Sequence, residues 1–307
     1  MDEQFYEDPL LDRGQLRKWT ERRDLPGVLR FSIQSCLLVG SGWVGWTAEG
    51  AVGWVGLGLF SALLASYFGP FHESLHRTAF RTGGLNEGVY WVSAVLQLAS
   101  PLGYRDFHFA HHRNTHKLDG DPELAASPAR MAEGPKNLAE LLLVGSGLLL
   151  LSGRLGGLAL AGLGPLAPWE KVLPYIKKEH RWRVSLESLG VIGLHIGLLY
   201  LLGWRWAATQ GLAQAILSLH LLTEHTGLPT DGSVLQRTRS LRAGPIIRFF
   251  LWNMPWHAEH HAWPAIPFWR MPELHAAVAE RLPERHSYGE VYRSLLQKMV
   301  AGGGRKG

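Results

Sequence analysis

Three histidines occupy five consecutive positions in the stretch HAEHH at 257–261. The same spacing occurs earlier, in HFAHH at 108–112, and a shorter relative, HESLH, lies at 72–76. Residues at positions i, i+3 and i+4 share one face of an α-helix, so each cluster can point its imidazoles at a common centre. A fold that uses all three clusters must bring them to one place. That requirement constrains the path of the chain more than any other feature.

The clusters hold more histidines than one metal ion can bind. His225 follows a predicted helix and is the natural ninth member of the set. Zinc takes four ligands in a structural site and three plus water in a catalytic one, whereas two ions with four or five nitrogens each would use the whole set. Imidazole suits zinc, copper, iron and nickel; an all-nitrogen pair of ions in a membrane favours iron that handles O₂. The single cysteine, Cys36, excludes a cysteine-based metal site.

Ligating histidines usually donate their second N–H to a carboxylate or a carbonyl. The residues expected to orient the ligands are His116, Asp106, Asp121 and Glu224, with Glu73, Asp119 and Glu259 as further acidic neighbours. Each carboxylate could equally be a solvated charge or a helix N-cap. Asn253 and the tryptophans beside it could shape a substrate channel, although tryptophan in membrane proteins is more common at the interface.

Four apolar stretches are long enough to cross a bilayer of roughly 30 Å, and they lie at 31–47, 51–71, 184–203 and 208–223. Because the clusters must share one side of the membrane, segment 88–103 is expected to be interfacial or re-entrant. Segment 139–168 is expected to form a shallow hairpin, and the alternative in which it crosses stays open. Basic residues before the first span place the N-terminus and the clusters in the cytoplasm.

The predicted fold is therefore all-α and integral to the membrane. About four transmembrane helices form two hairpins, and a cytoplasmic helical cap holds the histidines. A polar segment at 1–27 precedes this membrane domain at 28–270, and an amphipathic tail at 271–307 follows it. The chain has 31 Lys+Arg against 26 Asp+Glu, a net charge of +5. That mild excess fits basic loops facing anionic lipid and does not indicate nucleic acid.

The order of the motifs resembles the membrane fatty acid desaturase/hydroxylase superfamily. The resemblance runs from about His72 to about Leu274 and is strongest at YRDFHFAHHRNTH and WNMPWHAEHHAWPAIPF. The first box, with three residues between its histidines, is more similar to acyl-lipid desaturases and hydroxylases than to acyl-CoA desaturases. The resemblance implies a di-iron site whose ligands are His72, His76, His108, His111, His112, His225, His257, His260 and His261.

The resemblance also implies O₂ as a co-substrate and electrons from a separate donor, either a ferredoxin or a b-type cytochrome with its reductase. The expected reaction is oxidation of an unactivated C–H bond in a lipid-like substrate, with fatty acyl desaturation favoured. Hydroxylation or other oxygenation of a lipid, an alkane, a carotenoid or a smaller molecule is the alternative. A non-catalytic metal-binding or transport protein would need polar residues within its spans, and 31–47 and 51–71 carry no charge.

Overall fold

A computed structural model describes residues 11–125 and 128–303. These residues form an all-helical structure, 74% helix, with isolated bridges at Ser240–Trp256 and Leu241–His286 in place of strands. The prediction of an all-α fold is confirmed. Positions 1–10 of the expected polar segment and 304–307 of the expected tail lie outside the described residues.

Seventeen α-helices and five short 3₁₀ turns make up the described residues. The α-helices are α1 Arg13–Trp19, α2 Asp24–Thr47, α3 Gly50–Ser66, α4 Phe68–Leu75, α5 Gly83–Leu96, α6 Pro101–Asn114, α7 Pro128–Glu133, α8 Leu138–Gly145, α9 Leu148–Gly162, α10 Trp169–Val172, α11 Arg181–Leu202, α12 Trp204–His225, α13 Val234–Arg237, α14 Pro245–Phe250, α15 His257–Ala262, α16 Met271–Val278 and α17 Tyr288–Gly303.

The four longest helices form two consecutive pairs, α2 with α3 and α11 with α12. The helices α2 and α3 approach closely where Gly56 faces Gly45. A Cβ at Gly56 would lie only 2.6 Å from the backbone nitrogen of Gly45, so the approach requires glycine. Small residues at such a crossing let backbones pack tightly. The helices α11 and α12 are joined at Gly203, whose φ of 68° a side chain would rarely adopt. The indole of Trp46 donates to the Leu202 carbonyl at 3.0 Å, which fastens one pair to the other.

Within the described residues, two helical segments are long and apolar enough to cross a membrane, namely Gly50–Leu75 and Lys178–Leu202. They correspond to the predicted spans at 51–71 and 184–203. The predicted spans at 31–47 and 208–223 form full helices but do not reach the same mean hydropathy. Buried side-chain amides lower it, at Gln34 in α2 and at Gln210 and Gln214 in α12. The prediction of four spans is therefore borne out only in part.

Segment 139–168 is bent, and the bend fits either the predicted shallow hairpin or the alternative crossing. Its helices α8 and α9 are bent by 51° at the break between them, and together they could count as a third span. The bend occurs at Gly147, which has a φ of 74° and lies against the backbone of Ala215. At the other end of α9, Gly162 packs on Leu189 in the first half of α11. The pair therefore packs against α12 at its bend and against the first half of α11 at its end.

The short helices α4, α6 and α15 gather at one end of the two long pairs. Segment 88–103 divides into α5 and the start of α6, where Pro101 follows the N-cap Ser100. The residues before and after this segment meet again, since the Nε2 atoms of His76 and His108 lie 2.8 Å apart. The C-terminal helices α16 and α17 pack against this end through buried Leu274 and Val291.

Candidate metal centre

Nine histidines converge between the short helices, and they fall into two groups. Helix α4 and its C-cap supply the first cluster, α6 the second, the last residue of α12 the single histidine, and α15 the third cluster. In each group the ligand atoms all lie within 4.8 Å of one another. The first group is His72, His76, His108, His112 and His260. The second group is His111, His225, His257 and His261.

In the group of five, the imidazole nitrogens face each other across a small space. The Nε2 atoms of His72 and His260 are 2.8 Å apart, and His76 Nε2 lies 2.8 Å from His108 Nε2 and 3.2 Å from His260 Nε2. A metal–nitrogen bond of about 2.0–2.1 Å places two ligands at a right angle about 2.9 Å apart. The nitrogen separations therefore match those of imidazoles that share one ion.

In the group of four, His225 gives the clearest sign of a metal ligand. Its Nδ1 donates to the carbonyl of Arg237 at 3.0 Å, so the remaining nitrogen, Nε2, carries a lone pair. That Nε2 atom is buried and has no hydrogen-bond partner among the described residues. A buried lone pair without a donor costs free energy that a cation would recover. The donor set fits a metal ion on this ground.

Outer contacts fix the orientation of several of these rings. Asp121 accepts from His111 Nδ1 at 3.0 and 3.1 Å, as the sequence predicted. Thr115, which the sequence analysis missed, lies with its hydroxyl 3.0 Å from His261 Nδ1. Glu224 Oε1 lies 3.5 Å from His257 Nδ1. Such contacts hold a ligand's second nitrogen and leave the first one for the metal.

Two residues expected beside the ligands lie elsewhere, and each corrects the prediction. Asp106 accepts from His180 Nδ1 at 2.7 Å. It precedes His108 by two positions on α6, and side chains at that spacing point to nearly opposite sides of a helix. Asn253 donates to the Phe268 carbonyl at 2.8 Å and stabilises a turn in which its own φ is 63°. His116 lies beside the ligands without joining either group, since its ring stacks on that of His225 with centroids 5.8 Å apart.

Two further acidic neighbours serve the protein scaffold. Glu73 is buried and accepts from the Thr78 hydroxyl at 2.6 Å and from the Phe268 amide at 2.9 Å. Glu259 is buried beneath α15 and pairs with Ser240 and His275. Both carboxylates therefore tie loops to the histidine helices instead of contacting the clustered imidazoles.

Burial keeps most of the clustered imidazoles neutral. It lowers the pKa of His76 to about 3, and it holds the pKa values of His108 and His257 well below their ordinary range. His111 is the exception: burial opposes its charge, but Glu123 and Asp121 raise its pKa to about 9. Neutral imidazoles offer lone pairs to a metal, and the acidic pair beside His111 favours positive charge at that position.

Glu123 is a second residue that the sequence analysis missed. Its Oε2 lies 3.6 Å from His111 Nδ1, and with Asp121 and His111 it forms a third group of potential ligands. The carboxylate of Asp121 accepts the Glu123 amide at 2.9 Å, which starts the 3₁₀ turn at Pro122. The sequence DGDPE indicates the turn itself, because an aspartate before proline caps it, but not the approach of Glu123 to His111.

A cavity of about 810 Å³ opens beside the group of four. Helices α6, α8, α9, α11 and α12 form its wall, which is mostly apolar, and His225, His116 and Glu123 line it near the metal centre. Its volume lies within the range of small-molecule binding sites, roughly 300–1,000 Å³. An apolar molecule held there would therefore lie next to the histidines.

Comparison with known proteins agrees with this arrangement. The family described as "Fatty acid desaturase" matches residues 42–292, which include all nine clustered histidines. No curated protein matches the chain.

Proposed function

This chain belongs to the fatty acid desaturase family, and from that premise we propose that it uses O₂ to oxidise an unactivated C–H bond of a lipid-like substrate, desaturating an acyl chain. Family membership implies a lipid-oxidising enzyme, and the apolar helices indicate a membrane protein. The observation that carries the proposal is the pair of all-histidine groups, five and four residues, beside one apolar cavity.

The two groups would each hold one iron ion. Imidazole is a good ligand for iron, and neither group includes a thiolate that would favour another metal. Bound iron, supplied with O₂ and electrons, provides the oxidising power that an unactivated C–H bond requires. The protein contributes orientation: Asp121 holds His111, Thr115 lies against His261, and the Arg237 carbonyl holds His225. Ligands that are fixed in advance need not be ordered during the reaction.

The cavity supplies the substrate's environment. Leu124, Leu158 and Val184 are buried in its wall and keep water from the reacting carbon. His225 connects the cavity to the metal centre, because its ring belongs to the group of four and also lines the cavity. A chain placed in the cavity would present one stretch of carbon atoms to the histidines and leave the rest against apolar side chains.

We place four spans in the membrane, namely α2, α3, α11 and α12, with α8 and α9 as a re-entrant pair. Asp24 at the start of α2 accepts from Thr82 beside the metal centre, whereas Trp46 at the far end of α2 donates to Leu202. The ends near the metal centre carry Arg22, Arg23, Lys177 and Lys178, and the far ends carry Glu49 and Arg205. Positive residues concentrate on the cytoplasmic side of membrane proteins, so the site would face the cytoplasm.

Electrons would come from a separate acidic carrier that docks beside His76. Of the nine clustered histidines, His76 alone is partly exposed. The ring of Phe109 lies 5.7 Å from it and is 38% exposed. Arg77 and Arg113 flank this spot and are both exposed. A basic rim attracts an acidic ferredoxin or cytochrome and accelerates its encounter with the site.

The test is a measurement of metal and product on the purified protein. We expect the protein to retain iron, and we expect a host that expresses it to accumulate a desaturated lipid without label from ¹⁸O₂. His260→Ala should lose both iron and product, while His286→Ala, which alters a histidine outside both groups, should keep them. Label in the product would identify a hydroxylase instead. Zinc without iron, or full activity of His260→Ala, would refute the proposal.

A further inference from the structure

Arg154 is a cation in the mostly apolar wall of the cavity. It lies on α9, and one of its terminal nitrogens, Nη1, donates to the main-chain and side-chain oxygens of Gln97 at 2.6 and 2.9 Å. Gln97 is itself fixed, since its amide donates to the Leu64 carbonyl at 2.6 Å. One edge of the guanidinium is therefore bound to Gln97 at the C-terminus of α5, and the residue lines the cavity.

The charge of Arg154 is not balanced by the protein. Among the described residues, no carboxylate forms a salt bridge with Arg154. Its two hydrogen bonds run to the neutral oxygens of Gln97. The Nε and Nη2 groups make no hydrogen bond within the described structure, and a guanidinium has five N–H donors and no acceptor. An unpaired cation in apolar surroundings is costly. A ligand with acceptor oxygens and negative charge would remove that cost.

Ser188 is an independent sign of a polar ligand in the same cavity. It lies on α11, its side chain is completely buried, and it lines the cavity. Its hydroxyl has no hydrogen-bond partner among the described residues, although a helical serine often donates to the carbonyl three or four residues before it. Leu98, Leu158 and Val191 form one apolar cluster at this junction of α5, α9 and α11. A hydroxyl left without a partner among such residues also calls for an oxygen ligand.

We propose that Arg154 and Ser188 bind the carboxylate of a free, long-chain carboxylic acid, so that this enzyme acts on free acids instead of acyl chains esterified to a lipid or a carrier. The proposal rests on the proposed function for the chemistry and on the cavity for the binding. A carboxylate accepts two parallel N–H bonds from one edge of a guanidinium and neutralises its charge. An ester lacks that charge and carries an alcohol group that this part of the cavity would have to enclose.

Tyr104 connects this carboxylate site to the metal centre. Its ring lines the cavity and stacks on His108 with centroids 5.8 Å apart. The wall of one cavity thus runs from Arg154 past Tyr104 to the histidines. The fixed carboxylate would set which carbon of the chain lies beside them, as positioning of a substrate requires.

The test compares a free acid with its ester in the same binding assay. Detergent-purified protein is titrated with radiolabelled palmitic acid and, separately, with methyl palmitate. The unaltered protein should bind the acid about 10- to 100-fold more tightly, the effect expected of hydrogen bonds to a charged group. Arg154→Met should lose that preference by weakening the acid alone, and Ser188→Ala should weaken the acid by a smaller factor. Equal affinity of the unaltered protein for acid and ester would overturn the proposal.

Arg205→Met is the matched control. Arg205 donates to the Trp46 carbonyl near the end of α2, much as Arg154 does at the end of α5, but it does not line the cavity. This variant should keep the preference for the acid, and its loss would also overturn the proposal. If Arg154→Met does not fold, the unaltered protein and Ser188→Ala still decide the matter. A protein that prefers the acid but holds no iron would refute the proposed oxidation and leave the carboxylate site supported.

Discussion

Asp121→Asn tests whether the outer contacts of the histidines matter for metal binding. The carboxylate is buried and accepts from His111 Nδ1, from the His116 amide at 2.5 Å and from the Glu123 amide at 2.9 Å. Asparagine keeps the shape but turns an NH₂ group towards at least one of these donors. It also removes the negative charge that favours a cation at His111.

The size of the effect follows from the role of such contacts. Losing the partner of a metal-bound histidine typically lowers metal affinity 10- to 100-fold, or about 1.4–2.7 kcal/mol. Competition with a chelator, followed by elemental analysis of iron, would measure the affinity of the purified variant. Activity at saturating iron would separate weak binding from damaged chemistry. We expect the affinity for iron to fall more than the activity at saturating iron.

Asp106→Asn provides the control for this experiment. Its carboxylate is as buried as that of Asp121 and also accepts from a histidine, but that histidine is His180, outside both groups. Iron affinity should therefore stay at the parent's value. The reasoning would be refuted if Asp121→Asn bound iron like the parent, or if Asp106→Asn lost as much affinity as Asp121→Asn.

Three further perturbations give distinct outcomes. Gly147→Ala should destabilise the protein by at least about 2 kcal/mol in thermal melts in detergent, because the φ of Gly147 is 74° and a Cβ there would lie 2.3 Å from the nitrogen of Ala215. Gly156→Ala is the control, since a Cβ at Gly156 meets open space, and this variant should be as stable as the parent or more so. Because the pKa of His111 is raised to about 9, the metal-free protein holds a proton on this ring at pH 7. Calorimetry in two buffers should therefore detect about one proton released on metal binding, and the affinity for metal should rise up to pH 9. Binding without proton release would contradict this prediction. Arg113→Glu, at an exposed position, should slow reduction by an acidic donor severalfold at low salt and little at high salt; equal rates at low salt would exclude this docking surface.

Helical spacing predicted the clustered histidines because a ligand cluster on one helix is a local property. The division into groups of five and four was not predictable in the same way. His111 and His112 are adjacent in sequence but belong to different groups. Neighbouring residues on a helix are about 100° apart, so which one faces which ion depends on how α6 is rotated against α4 and α15. That rotation is a tertiary property.

Closeness in sequence does not predict which acidic residues contact the clustered histidines. Asp106 and Asp121 flank the second cluster equally well in the sequence, yet only Asp121 reaches it. The difference lies in the turn after α6, which carries Asp121 and Glu123 back beneath His111. Thr115 reaches His261 because that same turn leaves the helix with its hydroxyl towards α15. No local pattern encodes these approaches between elements.

The prediction of four membrane helices was confirmed only in part, and for a related reason. Counting charges identified four apolar stretches, but it gave no weight to side-chain amides. The amide of Gln34 donates to Ser66 and accepts from Trp252, so α2 buries polar groups against its neighbours. Gln210 in α12 donates to the Leu96 carbonyl. Helices that face other protein on one side can carry such residues and have a lower mean hydropathy than a helix surrounded by lipid.

The two histidine groups face different surroundings, and this asymmetry makes their roles separable. The group of five reaches solvent at His76, beside a basic rim, whereas the group of four reaches the apolar cavity at His225. If electrons enter at the first and substrate lies at the second, damage to one should leave the other intact. Arg113→Glu should slow reduction without altering the affinity for palmitic acid, and Arg154→Met should alter that affinity without slowing reduction. A single variant at either position that impaired both would show that one surface serves both partners.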